Sequence, residues 1–101
     1  MIKHIVLWKL DDSYAPAEKD AIKIALRKKL LDLEEEISEL LHIEVYLNDP
    51  ELSANNYDLL LDTIFSSMED LAAYQMHPSH QKVVKYIHSL KLQRAGIDYT
   101  F

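Results

Sequence analysis

Tyr74, His77 and His80 crowd around Pro78 in the segment LAAYQMHPSHQKV, residues 71–83. Histidine and tyrosine so close together are residue types for metal ligation or for acid/base chemistry. The metal reading meets two obstacles. Two histidines three apart share a metal when both lie on one helical face, but Pro78 disfavours helical geometry at His77, its predecessor. No Asp or Glu within the motif supplies a third ligand, and His88 stands eight residues beyond His80. No metal and no other cofactor is therefore expected.

The acid/base reading depends on the proline break. In a continuous helix Tyr74 and His80, six residues apart, would differ by ~240° in direction, whereas a break at Pro78 lets them converge. With Pro78 as the first helical residue, His80 is the third, where free backbone N–H groups and the helix dipole disfavour an imidazolium. His80 is then neutral near pH 7, the state that a general base requires. Each residue also has a purely structural reading. Tyr74 serves as half-buried packing with its hydroxyl on backbone, His77 as a helix cap, and His80 as a hydrogen-bonding partner of the sheet. His4, alone on an apolar strand face, reads first as a satisfied core histidine.

These side chains need a frame, and the hydrophobic periodicity supplies one. Residues 2–10 alternate, with Ile2, His4, Val6, Trp8 and Leu10 on one face of a first strand and Lys3, Ile5, Leu7 and Lys9 on the other. Pro16 opens a helix whose apolar residues recur at Ile22, Leu26, Leu30, Leu33 and Ile37. A second strand runs from His42 to Leu47 and stops at Asn48-Asp49-Pro50. A third spans Tyr57 to Phe65 and pairs with it. Ser66 or Ser67 caps a short helix through Met76. Pro78 starts another that reaches about Leu90, with Val83, Val84 and Ile87 as its apolar contacts. Ala95, Ile97, Tyr99 and Phe101 alternate in a last strand.

The order β-α-β-β-α-β predicts a ferredoxin-like α+β fold, one domain over residues 1–101, with an antiparallel sheet and helices on one face. His4, Trp8, Leu59, Phe65 and Tyr99 are assigned to the face beneath the helices. The opposite face mixes Ile5, Leu7, Leu60 and Ile64 with Lys3, Lys9, Asp58, Asp62 and Arg94. It is too apolar for open water and too charged for a dry core, so a homodimer through the sheet faces is expected. Asp58 and Asp62 lie ~13 Å apart along their strand, beyond the reach of a carboxylate pair, and are expected to face Lys3, Lys9 or Arg94 across that dimer.

Composition narrows the function classes. The chain has 101 residues, a net charge of −6 and no cysteine, so thiolate nucleophiles, disulfides and zinc–sulfur sites are excluded. The acidic balance argues against nucleic acid, which needs clustered cations. Arg27-Lys28-Lys29 and Glu34-Glu35-Glu36 read as solvated helix surface. No window approaches the ~18 apolar residues of a membrane span, so no membrane partner is expected. The opening IKHIVLWKL lacks the long apolar centre and cleavage site of a signal peptide, which makes the cytoplasm the default location. A single glycine, Gly96, rules out glycine-rich phosphate loops, and Ser66, Ser67, Ser79 and Ser89 lack the strand-to-helix elbow of a serine hydrolase.

The stretches IKHIVLWKL, IEVYLN, YDLLLDTIFSSMEDLAAYQMHPSHQKV and IDYTF together resemble the stress-responsive α/β barrel (Dabb) domain family over nearly the whole chain. The most specific element is AAYQMHPSH. The resemblance implies a ferredoxin-like fold whose dimer closes an α/β barrel, and a family in which most members have no assigned activity. In the olivetolic acid cyclase branch, a histidine of the HPxH motif acts as base and the preceding tyrosine positions the substrate. Those roles fall on His80 and Tyr74, with His4 lining the pocket beside Trp8 and His77. Leu59 and Leu30 stand where that branch has a pocket histidine and a pocket tyrosine. Relatives carry Ile-Pro and a strand-two glycine where this chain has Ile37-Ser38 and Tyr46.

The resulting expectation is a dimeric protein that binds a small apolar or aromatic molecule between helices and sheet. The alternatives are a cofactor-independent enzyme, cyclase-like or monooxygenase-like, with His80 as base and Tyr74 beside it, and a stress-related structural protein.

Overall fold

The computed structural model describes residues 1–101. Its elements are β1 (Ile2–Leu10), α1 (Pro16–Leu31), α2 (Leu33–Glu36), β2 (His42–Leu47), β3 (Leu59–Phe65), α3 (Met68–Met76), α4 (Pro78–His88) and β4 (Leu92–Thr100). The strands pair antiparallel in the order β2-β3-β1-β4, and the architecture is the ferredoxin-like α+β fold.

Alternation in β1 and β3 decides which sheet face meets the helices. Ile2, Val6 and Trp8 of β1, with Leu59, Leu61 and Phe65 of β3, are buried in one cluster with Leu26, Leu30, Leu33, Leu71, Tyr74 and Val83. Fully burying one such side chain contributes about 1.5–3 kcal/mol, so this layer holds the sheet and helices together. Thr63, with His4, is a polar member of the layer. Its hydroxyl donates to the His4 carbonyl at 2.7 Å, which removes the cost of an unpaired buried group.

Local signals set the helix ends. At the start of α1 the Ala15 N–H donates to the Glu18 carboxylate at 2.9 Å, and Pro16 occupies the first position. Ser67 caps α3 by accepting the Asp70 N–H at 3.1 Å. His77 has the extended backbone that its proline neighbour demands, with φ −64° and ψ 135°, and this ends α3 and begins α4.

Several expectations are corrected. The first helix does not run on through Ile37. It ends at Leu31, and α2 begins after Asp32, although Leu26, Leu30, Leu33 and Ile37 stay buried across the break. Glu34, Glu35 and Glu36 thus follow a helix start, where acidic side chains are favoured. β3 begins at Leu59 rather than Tyr57, because Asp58 is drawn to β1: its N–H donates to the Trp8 carbonyl at 2.8 Å and its carboxylate accepts the Leu10 N–H at 2.7 Å. Within the single chain Asp62 pairs with Lys3 at 2.9 Å.

The largest correction concerns β4. Its register places Lys3 opposite Tyr99, Ile5 opposite Ile97 and Leu7 opposite Ala95, so Tyr99 lies on the outer face and not beneath the helices. Arg94, Gly96 and Asp98, opposite Trp8, Val6 and His4, lie on the helix side. Paired residues in an antiparallel ladder share a face, and the apolar half of β4 therefore belongs with Ile5 and Leu7. No helix is long and apolar enough to cross a membrane.

Candidate functional site

A cavity of about 390 Å³ opens between the sheet and the helix layer. β1 contributes His4, Val6 and Trp8, β3 contributes Leu61, and β4 contributes Leu92 and Arg94. Leu30 of α1 and Gln75 of α3 complete the wall with His80, Val83, Val84, Ile87 and His88 of α4. Leu90, just after α4, is the remaining member. The volume lies in the range of small-molecule sites, and the lining joins a mainly apolar surface to a few polar groups.

His80 comes to the cavity through the proline break. Its Nδ1–H donates to the Gln75 carbonyl at 3.2 Å, and because a carbonyl only accepts, the neutral ring keeps its proton on Nδ1. Nε2 is then an available acceptor. Burial pulls the His80 pKa below its ordinary 6.5, against the opposing effect of the Gln75 carbonyl, and the nearby His4 and His77 rings lower it further. The direction expected from the helix terminus is present, but its main cause is desolvation.

Tyr74 converges with His80, at 4.3 Å between ring centroids, and packs on Phe65 at 4.9 Å. It does so from below. Tyr74 is fully buried, lines no part of the cavity, and its hydroxyl has no hydrogen-bond partner, neither backbone nor side chain. Burial pushes the phenol pKa far up, so the group stays protonated.

His4 is buried in β1, and its Nδ1 lies 2.5 Å from the carboxylate of Asp98, its cross-strand neighbour. The carboxylate fixes the ring's orientation and tautomer. His77 is turned to the helix junction, where Nδ1 accepts the Ser79 N–H at 3.1 Å, and it does not line the cavity. Leu59 is likewise not in the lining but packed in the core, whereas Leu30 is part of the wall. Trp8 is 4% exposed, and its indole N–H has no acceptor. Nowhere do three or more His, Asp or Glu side chains gather at metal-ligand spacing.

Sequence reasoning missed Gln75, His88, Arg94 and Asp98. For the last two a signal existed: parity along β4 places them with Gly96 on one face, once Ile97 is matched to Ile5 rather than to the helices.

The comparisons with known proteins agree with this architecture. Two stress-response A/B barrel domain-containing proteins of Arabidopsis thaliana are similar to the chain. One is 34% identical over 85 residues, covering 84% of this chain and 30% of the relative. The other is 27% identical over 103 residues, covering 98% and 46%. The chain therefore spans less than half the length of these curated relatives. A solved structure from Bacteroides fragilis, described as a dimeric protein of unknown function with a ferredoxin-like fold, superposes with a TM-score of 0.90 at 32% identity, covering 99% of this chain and 95% of that one. The profile of the Stress Responsive A/B Barrel Domain matches residues 2–101, and the chain belongs to that family.

Proposed function

We propose that this chain is a homodimeric binding protein for a small apolar or aromatic molecule, held in the cavity between α1, α4 and the sheet. The observation that carries the reading is the cavity itself: about 390 Å³, mostly apolar, with His4 and His80 contributing polar groups to its lining. The dimer is inferred from the outer sheet face, where Ile97, Tyr99 and Tyr46 are exposed in the single chain, and from the dimeric Bacteroides relative.

The test uses 1-naphthol as probe. Methyl resonances of Val83, Val84 and Ile87 are followed by NMR during titration, with Val84→Phe as a variant that fills the cavity. Saturable shifts at these methyls, lost in Val84→Phe, support the reading. Shifts scattered over the surface, or none up to the solubility limit, overturn it.

The free Nε2 of His80 favours a second reading, an enzyme that abstracts a proton from the bound molecule. Tyr74 contributes to it only as the floor on which His80 packs, because its hydroxyl does not line the cavity. Replacing His80 by Gln separates the two: turnover collapses if the ring is a base, whereas naphthol binding changes only modestly.

A further inference from the structure

Arg94 has no role in the binding reading so far, yet it is the one permanently charged residue in the cavity lining. No Asp or Glu lines the cavity, in a chain whose acidic residues outnumber its basic ones by 17 to 11. The guanidinium forms no ion pair, although Asp98 lies on the same strand face. Asp98 is engaged with His4 instead.

Gly96 explains how the guanidinium is held. The backbone there does not require glycine, since no residue of the chain has a positive φ. Space requires it. A Cβ on Gly96 would stand 3.3 Å and 3.5 Å from the two terminal nitrogens of Arg94 and 3.2 Å from the Ile5 carbonyl oxygen. The chain's only glycine is thus the bed on which the Arg94 side chain lies back over β4. Trp8, directly opposite Arg94 on β1, adds an indole N–H without an acceptor. Arg94 itself is exposed, so this rung of the sheet carries a solvated positive charge and a buried indole N–H, neither of them paired with a protein group.

We infer that the ligand of the cavity is an apolar or aromatic carboxylate, with its hydrocarbon part among Val83, Val84 and Ile87 and its carboxylate on Arg94. The inference rests on the binding reading above and specifies its ligand class. A carboxylate fits because it is planar, accepts two parallel N–H bonds from a guanidinium and supplies the missing counter-charge.

The experiment compares 1-naphthylacetate with 1-naphthylacetamide, a neutral probe of nearly the same shape, by calorimetry on the intact protein. The acid is expected to bind about ten-fold more tightly or better than the amide, in the range of a charge-assisted bidentate contact. Arg94→Gln should abolish that preference, weakening acid binding about ten-fold or more and amide binding by much less, while Arg94→Lys keeps part of it. Gly96→Ala, checked for retained fold by circular dichroism, should reduce the preference by displacing the guanidinium. Equal binding of both probes, with no effect of Arg94→Gln, overturns the carboxylate assignment and leaves the apolar site standing. Loss of the dimer in Arg94→Gln with an unchanged acid preference also overturns it and assigns the guanidinium to the subunit interface. If neither probe binds, and naphthol does not shift the Val83 and Val84 methyls, the binding reading falls and this inference with it.

Discussion

The buried His4 of β1 and the half-exposed Asp98 of β4 are joined by a hydrogen bond of 2.5 Å across one rung of the sheet. Without the carboxylate, a buried imidazole N–H would lose its acceptor. Asp98→Ala is therefore expected to destabilise the fold by about 1–2 kcal/mol, the lower part of the range for orphaning a buried donor, because water reaches the Asp98 side. Urea unfolding measures it, and an unchanged midpoint would show that the pair contributes nothing.

His80 should titrate below a free histidine. Burial disfavours its charged form, so the native ring binds a proton less readily than the unfolded one. The sign follows from linkage: between the lowered native pKa and the ordinary 6.5, the unfolded chain binds more protons, and stability rises with pH. The contribution is complete above 6.5 and is lost as pH falls through the native value. Ring-nitrogen NMR checks both the midpoint and the tautomer, which should show the proton on Nδ1 at pH 8. A midpoint above 6.5 contradicts the burial argument.

Tyr74→Phe separates packing from chemistry. The ring lies against Phe65 and His80, and Phe keeps those contacts, while the hydroxyl it removes has no partner. An unpaired buried hydroxyl costs about 1–3 kcal/mol, so the variant should be as stable as the native chain or more so by up to that amount. Naphthol binding should persist, since Tyr74 is not in the cavity wall. A clear loss of stability in thermal melts would mean that the hydroxyl is satisfied after all.

The fold was legible in residues 2–10, 42–47 and 59–65 because one sheet face is buried there and period-two alternation reads directly as burial. Ser67, Pro16 and Pro78 marked the helix starts for equally local reasons. β4 was not legible. Its burial pattern barely alternates in the single chain, and its more apolar parity faces away from the helices, so hydrophobicity alone pointed to the wrong side. That one inversion hid Arg94 and Asp98. The convergence of Tyr74 and His80 could be read from the proline break, but whether each reached the cavity depended on depth, which spacing does not encode.

The same inversion gives the proposed dimer its surface. With Ile97 and Tyr99 placed outside, the outer face carries Ile5 beside Ile97, Leu7 between Ala95 and Leu60, and Tyr46 beside Leu60. Ile97 is 59% exposed and Tyr46 53%, so this apolar band lacks a cover in the single chain. Lys3, salt-bridged to Asp62 within the chain and 5.6 Å from the Phe101 ring, forms a polar margin at one end. An apolar centre with such a rim is the anatomy of a subunit interface. The native chain is therefore expected to sediment at twice its 11.8 kDa, in keeping with the dimeric Bacteroides relative. Ile97→Glu places a charge at the centre of the band without touching the helix layer. Burying it unpaired costs several kcal/mol, enough to shift a micromolar dimer to monomer while the circular dichroism spectrum is retained. A variant that stays dimeric under sedimentation would place the interface elsewhere on the molecule.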